Sequence, residues 1–318
     1  MIKLNIKSFL KLVEIQTKAA SVIPFLLGSF YTYYRYGEFS FKNAVIMFLS
    51  MIFFDMTTTA LNNYVDYSKA VKKDGYGYEK HNAIVRDNLN PKIVRIIIYF
   101  MLILASILGF ILYRNTNIIV LILGVISFGI GIFYSFGAIP ISRTPFGEIF
   151  SGLTQGFLLI FITIYIHIYN KGIVNIDLLS LNNIIINFDL KEIINIFILS
   201  IPSVLGIANI MLANNICDIE EDRENRRYTL PIYIGKEKSL KLFEILYYFI
   251  YIIIFVGVII KALPIVSILT LLVFKKVKKN IEAFKKLQTK KDTFGLAVEN
   301  FAITNIVLAI TIVVGIII

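Results

Sequence analysis

Long stretches almost free of charge, such as Ile96 to Tyr113 and Ile118 to Gly137, constrain this chain more than any other feature. Each approaches or exceeds the roughly 18 to 20 residues that carry a helix across the hydrocarbon core of a bilayer. In lipid a backbone has no water to bond, so such runs become helices that satisfy their own N–H and C=O groups. The rest of the composition agrees: of 318 residues 57% are hydrophobic and only 17% charged, against roughly 25% charged in an ordinary soluble domain. The predicted fold class is an all-α, multi-spanning transmembrane helical bundle.

Setting apolar runs against charged loops gives nine expected spans, at about 19–36, 43–61, 93–113, 117–137, 149–169, 193–213, 240–260, 262–274 and 298–318. The eighth is short. Lys3, Lys7, Lys11, Glu14 and Lys18 interrupt the first twenty residues without an apolar core or a small-residue cleavage site, so no removable signal peptide is read there.

Basic residues test the span count, because they concentrate in cytoplasmic loops. The amino-terminal segment and the loops after spans two, four, six and eight hold 26 of the 32 Lys and Arg residues. The opposite loops hold only Arg35, Lys42, Arg114, Lys171, Lys191 and Lys261. The amino terminus is therefore expected in the cytoplasm and the carboxyl terminus outside the cell membrane. This distribution accounts for the net charge of +11 without nucleic acid as a partner.

The single cysteine, Cys217, excludes an intramolecular disulfide framework and a Cys-based zinc site. Pro24, Pro202 and Pro264 lie inside or at the edges of spans, and Gly124, Gly129 and Gly131 give span four a surface for close helix approach.

One polar pattern occurs twice. Asn62, Asn63, Tyr64, Val65 and Asp66 end span two, and Asn214, Asn215, Ile216, Cys217 and Asp218 end span six, so both read NNxxD. Four spans separate the copies, which puts both at one membrane face, as in an internal duplication around a central cavity. On a helix Asn62 and Asp66 share a face, as do Asn214 and Asp218, and Asp218 and Asp222. Carboxylate and amide oxygens suit Mg2+, which keeps several waters and is usually completed by substrate phosphates. A diphosphate bridged between the two motifs is the natural ligand, although either Asp alone could simply end a helix in a cytoplasmic loop.

Lys69, Lys72, Lys73, Arg223, Arg226 and Arg227 stand beside the motifs and could neutralise departing phosphate oxygens, or could serve only as orientation signals. Arg226 and Arg227 follow Asp222 by about one helical turn, and Arg143 is the sole base of its cytoplasmic loop.

Three segments resemble the UbiA superfamily of intramembrane prenyltransferases, closest to its 1,4-dihydroxy-2-naphthoate polyprenyltransferase branch, which serves menaquinone biosynthesis. NNYVDYSKAVKKD, Asn62 to Asp74, is similar to that branch's NDYxDxxxGxD. YSFGAIPISRTPFGE, Tyr134 to Glu148, is similar to its segment between spans four and five. NNICDIEEDRENRRYTLPIYIG, Asn214 to Gly235, is similar to NNxRDxxxDxxxGKxTLxxxxG. The chain departs from the pattern at Asn63, Ala70, Lys72 and Cys217, with Asp74 two residues past the third acidic position.

The resemblance implies one domain over residues 1–318, with nine helices around a lipid-open cavity and motifs at 62–66 and 214–218. It implies transfer of a polyprenyl group from a polyprenyl diphosphate to an aromatic acceptor. Asp66, Asp218 and Asp222 would be catalytic, and would hold Mg2+ together with Asn62, Asp74 and Asn214. Lys69, Lys73, Arg226 and Arg227 would bind diphosphate, and Tyr134 and Arg143 the acceptor. Three alternatives remain open: another acceptor, such as a different quinone precursor, a haem or a glycerol phosphate; a transporter or lipid carrier; and a catalytically impaired relative.

Overall fold

A computed structural model describes residues 5–69, 82–180 and 183–318. In chain order it contains α1 (Ile6–Leu12), α2 (Ala19–Tyr36), α3 (Phe41–Lys69), the one-turn α4 (Ala83–Arg86), α5 (Pro91–Asn115), α6 (Ile118–Ser135) and α7 (Gly147–Ile168). A hairpin of β1 (Val174–Ser180) and β2 (Asn183–Phe188) follows. The chain continues through α8 (Leu190–Cys217), the short α9 (Ile219–Glu224) and α10 (Leu230–Ile234), α11 (Lys236–Ile259), a 3-10 helix at Ile265–Val273, α12 (Phe274–Lys286) and α13 (Phe294–Ile317).

Seven of these, α3, α5, α6, α7, α8, α11 and α13, are long and apolar enough to cross a membrane. They match seven of the nine expected spans. The first expected span is α2, 18 residues with Pro24 inside. The eighth is the nine-residue 3-10 helix after Pro264, tighter and longer per residue than an α-helix at ~2.0 Å, and it runs directly into the lysine-rich α12. The hairpin was not anticipated. Its antiparallel register pairs Val174 with Phe188 and Ile176 with Ile186, and Asp189 N–H returns to Ile173 O at 2.9 Å to close it.

Local chemistry sets the helix limits. Asn90 accepts from Lys92 N–H and precedes Pro91, Asn117 accepts from Ile119 N–H, and Asp189 accepts from Glu192 N–H. Each satisfies a donor that the first turn leaves unpaired. Gly37, at φ +66°, ends α2 in the left-handed conformation that glycine adopts without steric cost.

Helix α7 contains a π-helical stretch, Gly152–Leu158. There Gly152 and Gly156 press against α8: a Cβ on Gly156 would lie 2.5 Å from Val204 Cα, and one on Gly152 would lie 2.6 Å from Val204 O. This small-residue ridge lets two backbones touch. The glycines singled out in α6 behave differently. Gly131 accommodates the Phe54 ring, 2.7 Å from where a Cβ would sit, but nothing lies within 4 Å of Gly124 or Gly129. All three line a cavity of about 530 Å³ between α2, α3, α5, α6 and α7, so Gly124 and Gly129 keep space open and do not draw helices together.

The loops sort to two ends. Arg35 bonds Glu192 at 2.6 Å and Lys261 O at 3.3 Å, Lys42 bonds Asn115, and Lys171 pairs with Glu38. These are the base-poor connections, gathered at one end. The base-rich connections meet at the other, where both polar motifs lie.

Candidate active site

Helices α3 and α8 contain 29 and 28 residues, so at 1.5 Å per residue each is ~42 Å long, well beyond a ~30 Å hydrocarbon core. Their last turns carry the two NNxxD motifs, so both lie at the ends of these helices and not at their middles. Along α3 one face presents Met47, Met51, Asp55 and Thr58 to the cavity, and the same face continues at four-residue steps to Asn62 and Asp66. The polar motif thus caps the oily chamber.

Three connections bring the motifs together. Arg143, in the 3-10 turn Ile141–Arg143 between α6 and α7, reaches Asp66 Oδ1 with its guanidinium at 3.4 Å. Its carbonyl accepts from Tyr228 N–H at 3.1 Å, which ties the same turn to the segment after α9. That segment places Arg227 Nε 3.1 Å from Asp222 Oδ1. Desolvation opposes charge on Arg227, yet the carboxylates of Asp222, Asp66 and Asp218 hold it firmly protonated. One guanidinium therefore lies in the field of acids from both motifs.

Asp222 is buried, 2% exposed, and accepts from Thr229 Oγ1 at 3.1 Å. Burial pushes its carboxyl up to about 6, against the pull of Arg227, with Asp218 adding to the rise. Asp218 caps the end of α8, and its Oδ2 lies 2.6 Å from Lys290 Nζ. Asn62 lies 3.5 Å from Asp66 through its amide nitrogen, and Asn214 is half-buried one turn before Asp218.

The second asparagine of each motif turns the other way. Asn63 is buried and donates to Leu12 O (3.2 Å), Thr59 O (3.3 Å) and Glu14 Oε1 (3.1 Å), while Asn82 donates to its carbonyl. Asn215 is buried and donates to Glu148 Oε1 at 2.9 Å. Both clamp a neighbouring segment. The departure from the family's acid at position 63 thus removes no ligand that this geometry directs at the site, and a carboxylate there could not make these donations.

Tyr134 is half-buried, and its enclosed hydroxyl lies beside Gly147, 3.6 Å from where a Cβ would sit. Arg143 is committed to Asp66, so it belongs to the acid cluster as much as to any acceptor pocket. Arg226 is exposed and adopts φ +54°, at the position where the family pattern has Gly. Lys69 closes α3, and Lys73, Lys72, Asp74 and Ala70 lie outside the described residues.

The sequence reading missed Lys290, Thr229, Glu148 and a buried pair in the chamber wall. Lys18, 4% exposed, bonds Asp55 Oδ1 at 2.6 Å, Asp55 O at 3.2 Å and Thr59 Oγ1 at 2.7 Å, and Ser21 donates to Asp55 Oδ2.

No trio of His, Cys, Asp or Glu side chains among the described residues is drawn together as a self-sufficient metal site. The donor set is hard oxygen from two facing motifs, with a cation already on each carboxylate. That chemistry fits Mg2+ taken by one or two carboxylates and completed by phosphate.

Residues 21–292 match the UbiA prenyltransferase family, and the chain belongs to it. It is 29% identical over 239 residues to the 1,4-dihydroxy-2-naphthoate octaprenyltransferase of Bacillus subtilis (strain 168), covering 73% of this chain and 67% of that protein. Among solved structures it superposes on a UbiA homologue from Aeropyrum pernix K1 with a TM-score of 0.68 at 18% identity, over 94% of this chain and 98% of that one. It also superposes on a UbiA homologue from Archaeoglobus fulgidus bound to GPP and Mg2+, with a TM-score of 0.65 at 14% identity, over 98% and 100% of the two chains. The multi-pass helical architecture and the prenyltransferase class follow.

Proposed function

We propose that this chain transfers a polyprenyl group from a polyprenyl diphosphate to an aromatic acceptor, 1,4-dihydroxy-2-naphthoate, in menaquinone biosynthesis. The observation that carries the reading is that Arg143 pairs with Asp66 of the first motif while its carbonyl bonds the segment that sets Arg227 against Asp222 beside the second, in a fold with a mostly apolar cavity of about 530 Å³. The acceptor assignment draws on the 29% identity to the naphthoate octaprenyltransferase.

In this mechanism Asp66, Asp218 and Asp222, supported by Asn62, Asn214 and Asp74, would hold Mg2+. Bound there, Mg2+ would neutralise the charge of the diphosphate leaving group. Arg227, with Lys69 and Lys73 at the first motif, binds the phosphate oxygens by charge-assisted hydrogen bonds. The prenyl tail lies along the cavity face of α3, which aligns the allylic C–O bond with the acid cluster. That bond breaks, the electron pair leaves with the diphosphate, and the allylic carbon becomes cationic. The mostly apolar wall excludes water that would trap this cation. Tyr134 and Arg143 position the aromatic acid, whose electron-rich ring attacks, and loss of its carboxylate as CO2 restores aromaticity.

The active face is cytoplasmic, with the amino terminus on that side, the carboxyl terminus outside and the chain in the plasma (inner) membrane. The gathering of base-rich loops at the motif end supports this orientation. Residues 1–318 act as one domain. A transporter reading would need the motifs at mid-membrane, whereas their helices overrun the hydrocarbon layer.

The test is Mg2+-dependent prenylation of dihydroxynaphthoate by membranes carrying wild type or Asp218→Ala, with product analysis across several acceptors. Equal activity of the two proteins would remove Asp218 from the mechanism. A product formed only on another acceptor would retain the transfer and reject the naphthoate.

A further inference from the structure

Lys290 is one of eight lysines between Lys275 and Lys291, a density that topology alone explains. Its placement is another matter. The link between α12 and α13 is a turn bonded to itself: Thr293 Oγ1 donates to Leu287 O (2.8 Å) and accepts from Thr289 N–H (3.0 Å). Thr289 Oγ1 accepts from Asp292 N–H (3.1 Å) and donates to Asp292 Oδ2 (2.9 Å). Thr289 O also accepts from Thr293 and Phe294 N–H, at 3.2 and 3.0 Å. Thr293 is buried, which anchors the turn. From this fixed base Lys290 reaches across to Asp218 Oδ2 at 2.6 Å. Its charge is also felt by Asp222 and Glu221.

Lys290 occupies one oxygen of Asp218, and a dication on the same carboxylate would bring like charges together in a partly desolvated site. Divalent cation on Asp218 therefore weakens the hold of that carboxylate on Lys290. The freed ammonium stays tethered to a rigid turn beside the acid cluster, with three donors to satisfy. Phosphate oxygens brought by the substrate are the nearest chemistry that would do so. Arg227 is held differently, inward-facing and against Asp222, while the Lys290 side chain is 36% exposed.

We propose that Lys290 is a mobile cationic arm of the diphosphate site, parked on Asp218 while the site is empty and transferred to the substrate's phosphate when a divalent cation takes the carboxylate. The proposal rests on Asp218 being a metal ligand, as above. It makes cation and diphosphate bind with positive coupling: each removes an obstacle to the other.

The test uses full-length protein in detergent or nanodiscs with two probes. Mn2+ alone is titrated by the loss of its free EPR signal, and a cleavage-resistant geranyl thiolodiphosphate is titrated by calorimetry at saturating Mg2+. In Lys290→Gln, Mn2+ should bind roughly tenfold more tightly and the thiolodiphosphate roughly tenfold more weakly, each within the usual range of coupling between sites. Lys290→Arg keeps the charge and should stay within about threefold of wild type on both probes. Opposite shifts in Lys290→Gln support the proposal. Any other pattern, including no change or weakening of both, overturns it, and weakening of both would mark Lys290 as structural. Wild-type protein that binds neither probe would instead overturn the function proposed above.

Discussion

Restoring the family's aspartate at position 63 provides a sharp test of which way that side chain points. On the motif alone, Asn63→Asp adds a carboxylate to a metal site and should improve cation binding. The structure gives the opposite expectation. Asn63 Nδ2 bonds Leu12 O, Thr59 O and Glu14 Oε1 in a buried pocket, and an aspartate brings no amide donor to replace it. Leu12 O loses its partner at ~1–3 kcal/mol, Thr59 O keeps its helical backbone bond, and the new carboxylate is set about 3 Å from that of Glu14, where like charges repel. The sum is a loss of about 2–4 kcal/mol, a large share of the stability of an ordinary marginal fold. Glu14→Gln in the same chain supplies an amide that can donate to the introduced carboxylate, so the double variant should recover about half of the loss. Thermal denaturation in detergent, followed by a thiol-reactive dye or by circular dichroism, measures stability; Mn2+ titration measures the site. An Asn63→Asp protein as stable as wild type, binding Mn2+ more tightly, would show that this side chain faces the metal and that the clamp is misassigned.

Other expectations follow from single positions. Gly129→Leu places a side chain in open cavity space, so the Michaelis constant for the longest prenyl diphosphates should rise several-fold while that for short ones stays put. Gly131→Leu instead meets the Phe54 ring at 2.7 Å and should lower stability by about 1–3 kcal/mol through overpacking. Arg226→Gly relieves a left-handed residue at φ +54°; thermal denaturation should show a gain of up to ~1 kcal/mol, with activity within twofold because the side chain is exposed. Asp222 has a folded-state carboxyl raised to about 6 by burial, so metal-free folded protein binds this proton more strongly than the unfolded chain does. Its stabilising contribution is full below the unfolded value near 4 and is lost as pH rises through 6. The difference in melting temperature between wild type and Asp222→Asn, scanned from pH 4 to 7, should follow that curve; a flat difference would refute it.

The spans were legible because charge-free runs of helical length have few other fates in a polypeptide. The eighth was only partly so: Pro264 and a run of nine residues gave no sign that the segment would wind as a 3-10 helix. The hairpin at 174–188 was hidden for a related reason, since Ile and Leu in short strands look like any apolar stretch once hydropathy is averaged. At the site, four-residue spacing correctly placed Asn62 on the face of Asp66. It could not tell that Asn63 and Asn215 serve as clamps, because their partners, Leu12, Glu14 and Glu148, are distant in sequence. Lys290 was illegible for the same reason, lost among lysines that orientation alone would justify. The Lys18–Asp55 pair was masked by assigning Lys18 to the amino-terminal charge signal.

That last pair also bears on inheritance. Lys18 gives its ammonium to Asp55 and Thr59, and losing one partner of a buried ion pair costs about 3–5 kcal/mol, whereas replacing both with well-packed apolar residues can be neutral. A lineage that drifts at either codon must cross a stage with a stranded charge in oil. Positions 18 and 55 should therefore pass between descendants as a couple, kept together or exchanged together, and a collection of related sequences would reveal the bond without any knowledge of the chemistry next door.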